Sequence, residues 1–202
     1  RYKGDMMRGV RHGHGVFTFK NGDRYEGQYV NGHREGKGTF IWHKGGGDSV
    51  ARYEGEFKNN EMHGRGTLTY PDGSVHLNAE WANGQRVGSE GEFRFRAGHT
   101  YTGNWAHSTF NDAGCFTYAE GDKYEGQWHN GERSGGGEYT HARGDVYKGA
   151  WRQDKREGEG KFVFRDGGRY EGSWRADEPT QSGPTHWIGF ADDGSEGFAE
   201  PV

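Results

Sequence analysis

Large apolar side chains recur along this chain in a fixed rhythm. Two aromatic residues four apart, such as Tyr124 and Trp128, alternate with two aromatic residues two apart, such as Phe116 and Tyr118. Both spacings are even, so within a strand the rings share one face of a sheet. Glu, Gln, Lys, Ser and Thr, among them Glu125, Gln127 and Thr117, fall on the other face. No 3.6-residue apolar stripe runs through the pattern, which predicts strands throughout and no helix longer than a turn or two.

The rhythm is that of a repeat. Seven of the eleven tyrosines open the phrase Tyr-x-Gly-x-Trp or a weaker copy of it, with starts at Tyr2, Tyr25, Tyr53, Leu77, Tyr101, Tyr124, Tyr147 and Tyr170. The starts are 23 to 28 residues apart and mostly 23 or 24, which marks an array of small units and not a domain with one closed core. With the opening residue as position 0, strand one covers 0 to +4. A polar loop follows, such as Val30–Glu35, then Gly-x-Gly at +11 and +13, then strand two with rings at +15 and +17, then a short turn such as Glu120-Gly121-Asp122. Positions 0, +4, +15 and +17 give 32 slots, and 27 of the chain's 30 aromatics fill them, the exceptions being Met6, Leu68, Leu77, His141 and Thr185. Glycine at +2 stands between two rings, where a side chain would keep neighbouring rings from lying flat.

Composition sharpens this picture. Mean hydropathy is -1.19 and 39 of 202 residues are glycine, values typical of disorder, but 15% aromatic content argues against it. The net charge of -4 gives no general case for nucleic acid or anionic lipid. The halves differ: residues 1–100 carry 15 basic and 12 acidic side chains, residues 101–202 carry 11 and 18. That asymmetry suits a partner, or a second copy, that meets the two ends differently. A single cysteine, Cys115, excludes an internal disulfide and fits a reducing compartment. It is expected to point away from the rings as an exposed thiol. No apolar stretch is long enough to span a membrane. The chain starts without methionine, directly on a first strand, and is read as a piece of something longer.

Tyr-Glu-Gly-x-Trp, then Asn-Gly, then Gly-x-Gly-x-Phe, closing on Asp-Gly-Asp or Asp-Gly-Ser, resembles the MORN repeat. The resemblance covers residues 2–174, and Gln181-Ser182-Gly183 continues it weakly. It implies an all-β, elongated, twisted single-layer array of β-hairpins with a concave aromatic face. The array is assigned to residues 1–183 and a C-terminal cap or tail to 184–202. Family members look like non-catalytic scaffolds for helical or extended protein segments, and some form homodimers. They occur in cytoskeletal and ciliary assemblies such as radial spokes, at membrane junctions, and beside catalytic domains. The resemblance therefore implies a cytoplasmic, cytoskeleton-associated protein, with the ciliary axoneme as one setting. The tail with Pro179, Gly183, Pro184 and Asp193-Gly194-Ser195 loosely resembles the end of radial-spoke arrays.

Candidate chemistry is sparse. His12-Gly13-His14 puts two imidazoles on one strand as half of a zinc site, but the +10 slot also holds His63, Glu35 and Glu157 and reads as a polar turn position. Gly45-Gly46-Gly47 lacks the Gly-Lys-Ser/Thr of a phosphate loop and reads as a hairpin extension. No serine or cysteine meets a histidine and carboxylate in a recognised arrangement. No enzyme activity, metal or cofactor is expected. Stacked rings can bind single-stranded nucleic acid, but no basic stripe is seen to follow them, so no nucleic acid is expected either. The expected site is a groove of rings in the most regular stretch: Tyr101, Trp105, Phe116, Tyr118, Tyr124, Trp128, Tyr139, Tyr147, Trp151, Phe162 and Phe164. Three readings stay open: a protein-binding scaffold, a membrane-surface phospholipid adaptor that the charge disfavours, and the targeting arm of a larger enzyme. The irregular stretches near Gly45–Val50, Leu77–Ser89 and Asp112 read either as decay of a tolerant repeat or as a partner site.

Overall fold

The computed structural model describes residues 1–43, 50–180, 186–190 and 196–198. The extension around Gly45–Ser49, the continuation at Gln181–Gly183 and the tail residues Pro184 and Asp193–Ser195 lie outside them. Every element among the described residues is a strand, so the all-β, open hairpin array expected from the ring pattern is the fold. The chain divides into two compact units, Arg1–Thr109 and Phe110–Val202.

The first unit runs through β1 (Tyr2–Met7), β2 (Val10–Thr18), β3 (Arg24–Val30), β4 (His33–His43), β5 (Val50–Lys58), β6 (Glu61–Thr69), β7 (Val75–Ala82), β8 (Gln85–Val87), β9 (Glu92–Arg94) and β10 (Thr100–Ala106). Neighbours pair antiparallel from β1 to β7, and β9 bridges β7 to β10. The second unit contains β11 (Thr109–Thr117), β12 (Lys123–His129), β13 (Glu132–Thr140), β14 (Val146–Arg152), β15 (Lys155–Val163), β16 (Arg169–Arg175), β17 (Glu178–Pro179), β18 (His186–Phe190) and β19 (Glu196–Phe198). Strands β11 to β16 pair in order, and β16 also receives β17 and β18.

The loop expected after strand one is shorter than its polarity suggests. In the second unit's β12–β13 hairpin it is two residues, Asn130 (φ 50°) and Gly131 (φ 87°), and β13 begins at once with Glu132. Two successive positive φ values twist the hairpin in the sense its strands require. The same geometry recurs in every hairpin of this type among the described residues, including Gln153-Asp154 and Ala176-Asp177, where no glycine relieves it. The polar residues after the turn therefore belong to strand two, which stops at about +16 and leaves the +17 ring in the inter-repeat turn. The extra length is absorbed by a bulge: Gly126 pairs Gly137 and Trp128 pairs Arg133, so Gln127 faces Ser134–Gly136. The first glycine of Gly-x-Gly, Gly135, takes the bulge's left-handed turn at φ 67°.

The second glycine serves a different purpose. Gly126 and Gly137 face each other across β12 and β13, and Tyr124 lies along the strand over both. A Cβ on Gly126 would sit 2.5 Å from the Tyr124 hydroxyl and 2.5 Å from the Gly137 Cα. Tyr124 Oη donates to the Gln127 carbonyl at 3.0 Å, at the bulge. Tyr147 does the same to Ala150, and Tyr25 and Tyr53 repeat it in the first unit. A shelf of bare backbone thus lets each tyrosine lie flat and bury completely.

Tryptophans close over the tyrosines. Tyr124 meets Trp128 and Trp151 edge-on at 5.1 and 5.2 Å, and Tyr147 meets Trp151 and Trp174 at 5.2 and 5.1 Å. The indole N–H groups of Trp128, Trp151 and Trp174 reach back to the carbonyls of Gly114, Gly137 and Gly160, that of Trp151 at 3.3 Å. These rings form the core, and among the described residues no second layer covers them, while the polar positions Glu125 and Gln127 on the other face are exposed. Cys115, expected as an exposed thiol, is half-buried opposite Glu125 with its sulfur 4.0 Å from the Thr117 hydroxyl.

The first unit departs from the pattern where Leu77 was placed in the tyrosine slot. Leu68 pairs with His76, a bulge with Asn78 at φ 47° follows, and His76 fills the ring position instead. Its imidazole packs against Phe93, Trp81 and Trp105 at 4.3, 5.4 and 5.0 Å. Arg86 beside it is fully buried over Trp105 and donates to the carbonyls of Val87 and Glu90. His76 Nδ1 and Arg86 Nε have no hydrogen-bond partner among the described residues.

Candidate partner-binding cleft

Turn residues clamp each hairpin to the next, and in the second unit these clamps create the site. Arg133 starts β13. Its main-chain N–H and Nε donate to Asp154 Oδ1 at 3.0 and 3.1 Å, and its Nη2 donates to the Asp154 carbonyl at 2.6 Å. Asp154 N–H returns a bond to the Arg133 carbonyl. Arg156 and Asp177 repeat this arrangement one hairpin further on. Held this way, the Arg133 guanidinium lies 4.4 Å above Trp151 and the Arg156 guanidinium 4.2 Å above Trp174.

Between the two clamps the rings open into a cleft of about 250 Å³, lined by Tyr118, Arg133, Tyr139, His141, Tyr147, Trp151, Asp154, Arg156 and Asp177. Asp122 braces its far edge, accepting from Ala142 N–H at 2.9 Å, Tyr139 Oη at 2.6 Å and lying 3.3 Å from His141 Nδ1. The Ala142 bond, followed by the Tyr139 bond, holds the Asp122 carboxyl below its ordinary range. Burial, with that same bond, pushes the Tyr139 phenol up. The lining brings together aromatic edges, two guanidiniums, an imidazole and two carboxylates, groups that interact by stacking and charge. Among the described residues no group of three His, Cys, Asp or Glu side chains could hold a metal ion.

The expected groove residues separate by burial. Tyr101, Trp105, Tyr124, Trp128, Tyr147, Trp151 and Phe162 are each no more than 8% exposed, while Phe116, Tyr118, Tyr139 and Phe164 are half-buried and offer ring edges. Tyr101 and Trp105 belong to the first unit and the rest to the second. Four of the eleven, Tyr118, Tyr139, Tyr147 and Trp151, line the cleft.

The arginines were missed, and the expectation that no basic stripe follows the rings is overturned. Arg11, Arg34, Arg86, Arg133 and Arg156 all stand nine residues after a repeat start, each with its guanidinium over an aromatic ring. Their fixed spacing was the available signal. In the second unit Asp154 and Asp177 pair with Arg133 and Arg156 and offset their charge.

The family model described as MORN repeat matches residues 2–24, 25–47, 53–75, 124–146 and 147–169, more than half of the chain. The unmatched stretches include the one in which His76 replaces the tyrosine. No curated protein matches the sequence. Among solved structures, a SAS-4 (dCPAP) TCP domain from Drosophila melanogaster, in complex with a proline-rich motif of Ana2 (dSTIL), is similar at 9% identity with a TM-score of 0.35. The similarity covers 94% of this chain and 85% of that one.

Proposed function

Because this chain belongs to the MORN-repeat family, we propose that it is a non-catalytic scaffold that holds a helical or extended segment of a partner protein against the second unit's cleft. The observation that carries this reading is the meeting, in one cleft, of half-buried tyrosine edges with two guanidiniums fixed on tryptophan faces. Tyr, Trp and Arg are the side chains that dominate interface energetics, and here they are already rigid, so little entropy is lost on binding. A cytoskeletal or ciliary assembly, such as a radial spoke, is the setting this reading favours. A phospholipid adaptor would need exposed Lys and Arg around the cleft, whereas its arginines are paired with Asp154 and Asp177.

A photo-crosslinking amino acid placed at position 118 or 164, compared with one at position 148 on the polar face, tests the proposal in cells. One protein captured from 118 or 164 and lost on Arg156→Ala is the expected result. Capture from position 148 alone would move the site to the polar face and end this reading.

A further inference from the structure

Six rings of the second unit form one unbroken row. Phe116, Tyr118, Tyr139, His141, Phe162 and Phe164 follow one another at centroid distances of 4.6, 5.9, 4.8, 6.2 and 4.8 Å. The row crosses the ends of β11, β13 and β15, so its axis runs across the strands. Alternate members, Tyr118, His141 and Phe164, stand 23 residues apart in one backbone geometry. Each donates its main-chain N–H to the carbonyl four residues on, and its own carbonyl accepts from a glycine three residues on. The cleft opens along the middle of this row, over Tyr118, Tyr139 and His141.

Three equivalent rings measure out the length of whatever lies on them. Successive hairpins are two strands apart, about 9.6 Å. A segment that meets each ring alike must return to the same face at that interval. A polyproline II helix returns every third residue, about 9.3 Å, and drifts about 0.6 Å between Tyr118 and Phe164. An α-helix returns after seven residues, about 10.5 Å, and drifts about 1.8 Å over the same span. A β-strand returns every second residue, about 6.7 Å, and turns its third residue away from the middle ring.

Charge narrows the occupant further. Two guanidiniums in the cleft face three carboxylates, those of Asp154, Asp177 and the bracing Asp122. Asp154 and Asp177 each receive their arginine's main-chain N–H and Nε on Oδ1. Neither Oδ2 accepts a hydrogen bond among the described residues, and the two side chains are 49% and 45% exposed. Residues 110–202 carry 11 basic and 18 acidic side chains. The cleft is therefore complementary to a segment that carries positive charge, not negative.

We infer that the occupant is a proline-rich segment in the polyproline II conformation, lying along the ring row with an apolar residue at every third position and arginine or lysine at its flanks. This rests on the reading of the cleft as a partner site and adds the conformation and charge of what fills it. Proline's fixed φ leaves little chain entropy to lose on docking, and its flat ring suits an aromatic groove.

Fluorescence anisotropy with the purified full chain and three labelled peptides tests the inference. One is a run of ten prolines flanked by two arginines at each end. The others carry the same flanks around a Gly-Ser decamer and around a lactam-bridged alanine helix. The proline peptide should bind at least tenfold more tightly than either, and at least fivefold more weakly to Tyr118→Leu and to His141→Leu. The Asp154→Asn/Asp177→Asn double variant, which keeps the Oδ1 acceptors, should weaken the arginine-flanked peptide at least threefold and leave a serine-flanked copy unchanged. Lys148→Ala on the polar face should change nothing, and circular dichroism checks that each variant keeps the wild-type fold. Equal binding of the proline and Gly-Ser peptides, or unchanged binding by both ring variants, overturns the inference. Tighter binding of the helix also overturns it but leaves the cleft as a partner site, as does cellular capture from position 118 without any binding of the proline peptide. Failure of both the capture and the proline peptide ends both readings.

Discussion

Arg133 and Asp154 are joined four times across two hairpins, by three bonds donated from the arginine and one returned from the aspartate main chain. Asp154 also holds φ 65°, a conformation that glycine would adopt without strain. The hairpin accepts that strain because the side chain at this position is the clamp. Wherever the second turn residue is not glycine, its side chain caps the main-chain N–H of the residue at +9 one hairpin earlier: Asn60 to Arg34, Ser108 to Arg86, Asp154 to Arg133 and Asp177 to Arg156.

Substitutions at Asp154 should separate the two effects. Asp154→Gly loses the carboxylate bonds but relieves the backbone, while Asp154→Ala loses both the bonds and the glycine's freedom. The alanine variant should be less stable than the glycine variant by about 1 kcal/mol, and both less stable than wild type in denaturant unfolding. Equal stability of the two variants would mean that φ at this turn carries no strain.

The glycine shelf predicts a sharp positional contrast. Gly126→Val places branched carbon against Tyr124 and the Gly137 backbone and should cost about 3 kcal/mol or prevent folding. Gly136→Ala, one residue from the shelf, meets nothing within 4 Å and should be neutral or stabilising by up to about 1 kcal/mol. Thermal unfolding of the two variants is the measurement, and similar losses from both would contradict the shelf.

His76 makes the first unit sensitive to acid. Desolvation, with the nearby Arg86 charge, lowers its pKa from 6.5 to about 4. Between these values the unfolded chain binds a proton that the folded chain does not. Stability therefore falls as pH drops from about 6.5 towards 4, by on the order of 3 kcal/mol. His76→Phe should flatten that dependence, and NMR titration should show the His76 ring neutral at pH 5. A midpoint near 6.5 for this ring would place it in water.

The buried tyrosines predict a late ionisation. Burial pushes the Tyr147 phenol to about 12, and those of Tyr25, Tyr53 and Tyr124 also upward. Ultraviolet titration should show most of the tyrosine absorbance change arriving in one cooperative step above pH 12, together with loss of the far-ultraviolet strand signal. Gradual ionisation centred near pH 10 would contradict the shelf-and-cover arrangement.

The fold was legible because tyrosine, glycine and tryptophan each recur for one local reason that the chain repeats. Even spacing assigned Tyr124 and Trp128 to one face, and Gly126 between them marked the shelf. The register of strand two was not legible: only some turns carry Asn-Gly, and Gln153-Asp154 adopts the same geometry through a clamp to a residue 21 positions earlier. Leu77 was given the tyrosine slot that His76 fills for a related reason, since a one-residue bulge at Asn78 shifts the slot without altering the glycine count. At the cleft the rings were visible, but Arg133 and Asp154 read separately as polar loop residues until the turn brought them together.

The hairpin clamp also bears on how this protein ages. Asparagine followed by glycine is the pair most prone to lose its amide nitrogen, through attack of the glycine N–H on the asparagine side chain. Asn31-Gly32, Asn83-Gly84 and Asn130-Gly131 are such pairs. In each, that N–H is committed to the carbonyl of the preceding hairpin's Arg11, Met62 or Phe110. Deamidation at these asparagines therefore requires a turn to come away from its neighbour first. The isoaspartate accumulated at each site becomes a chemical clock of how often that hairpin lifts from the array.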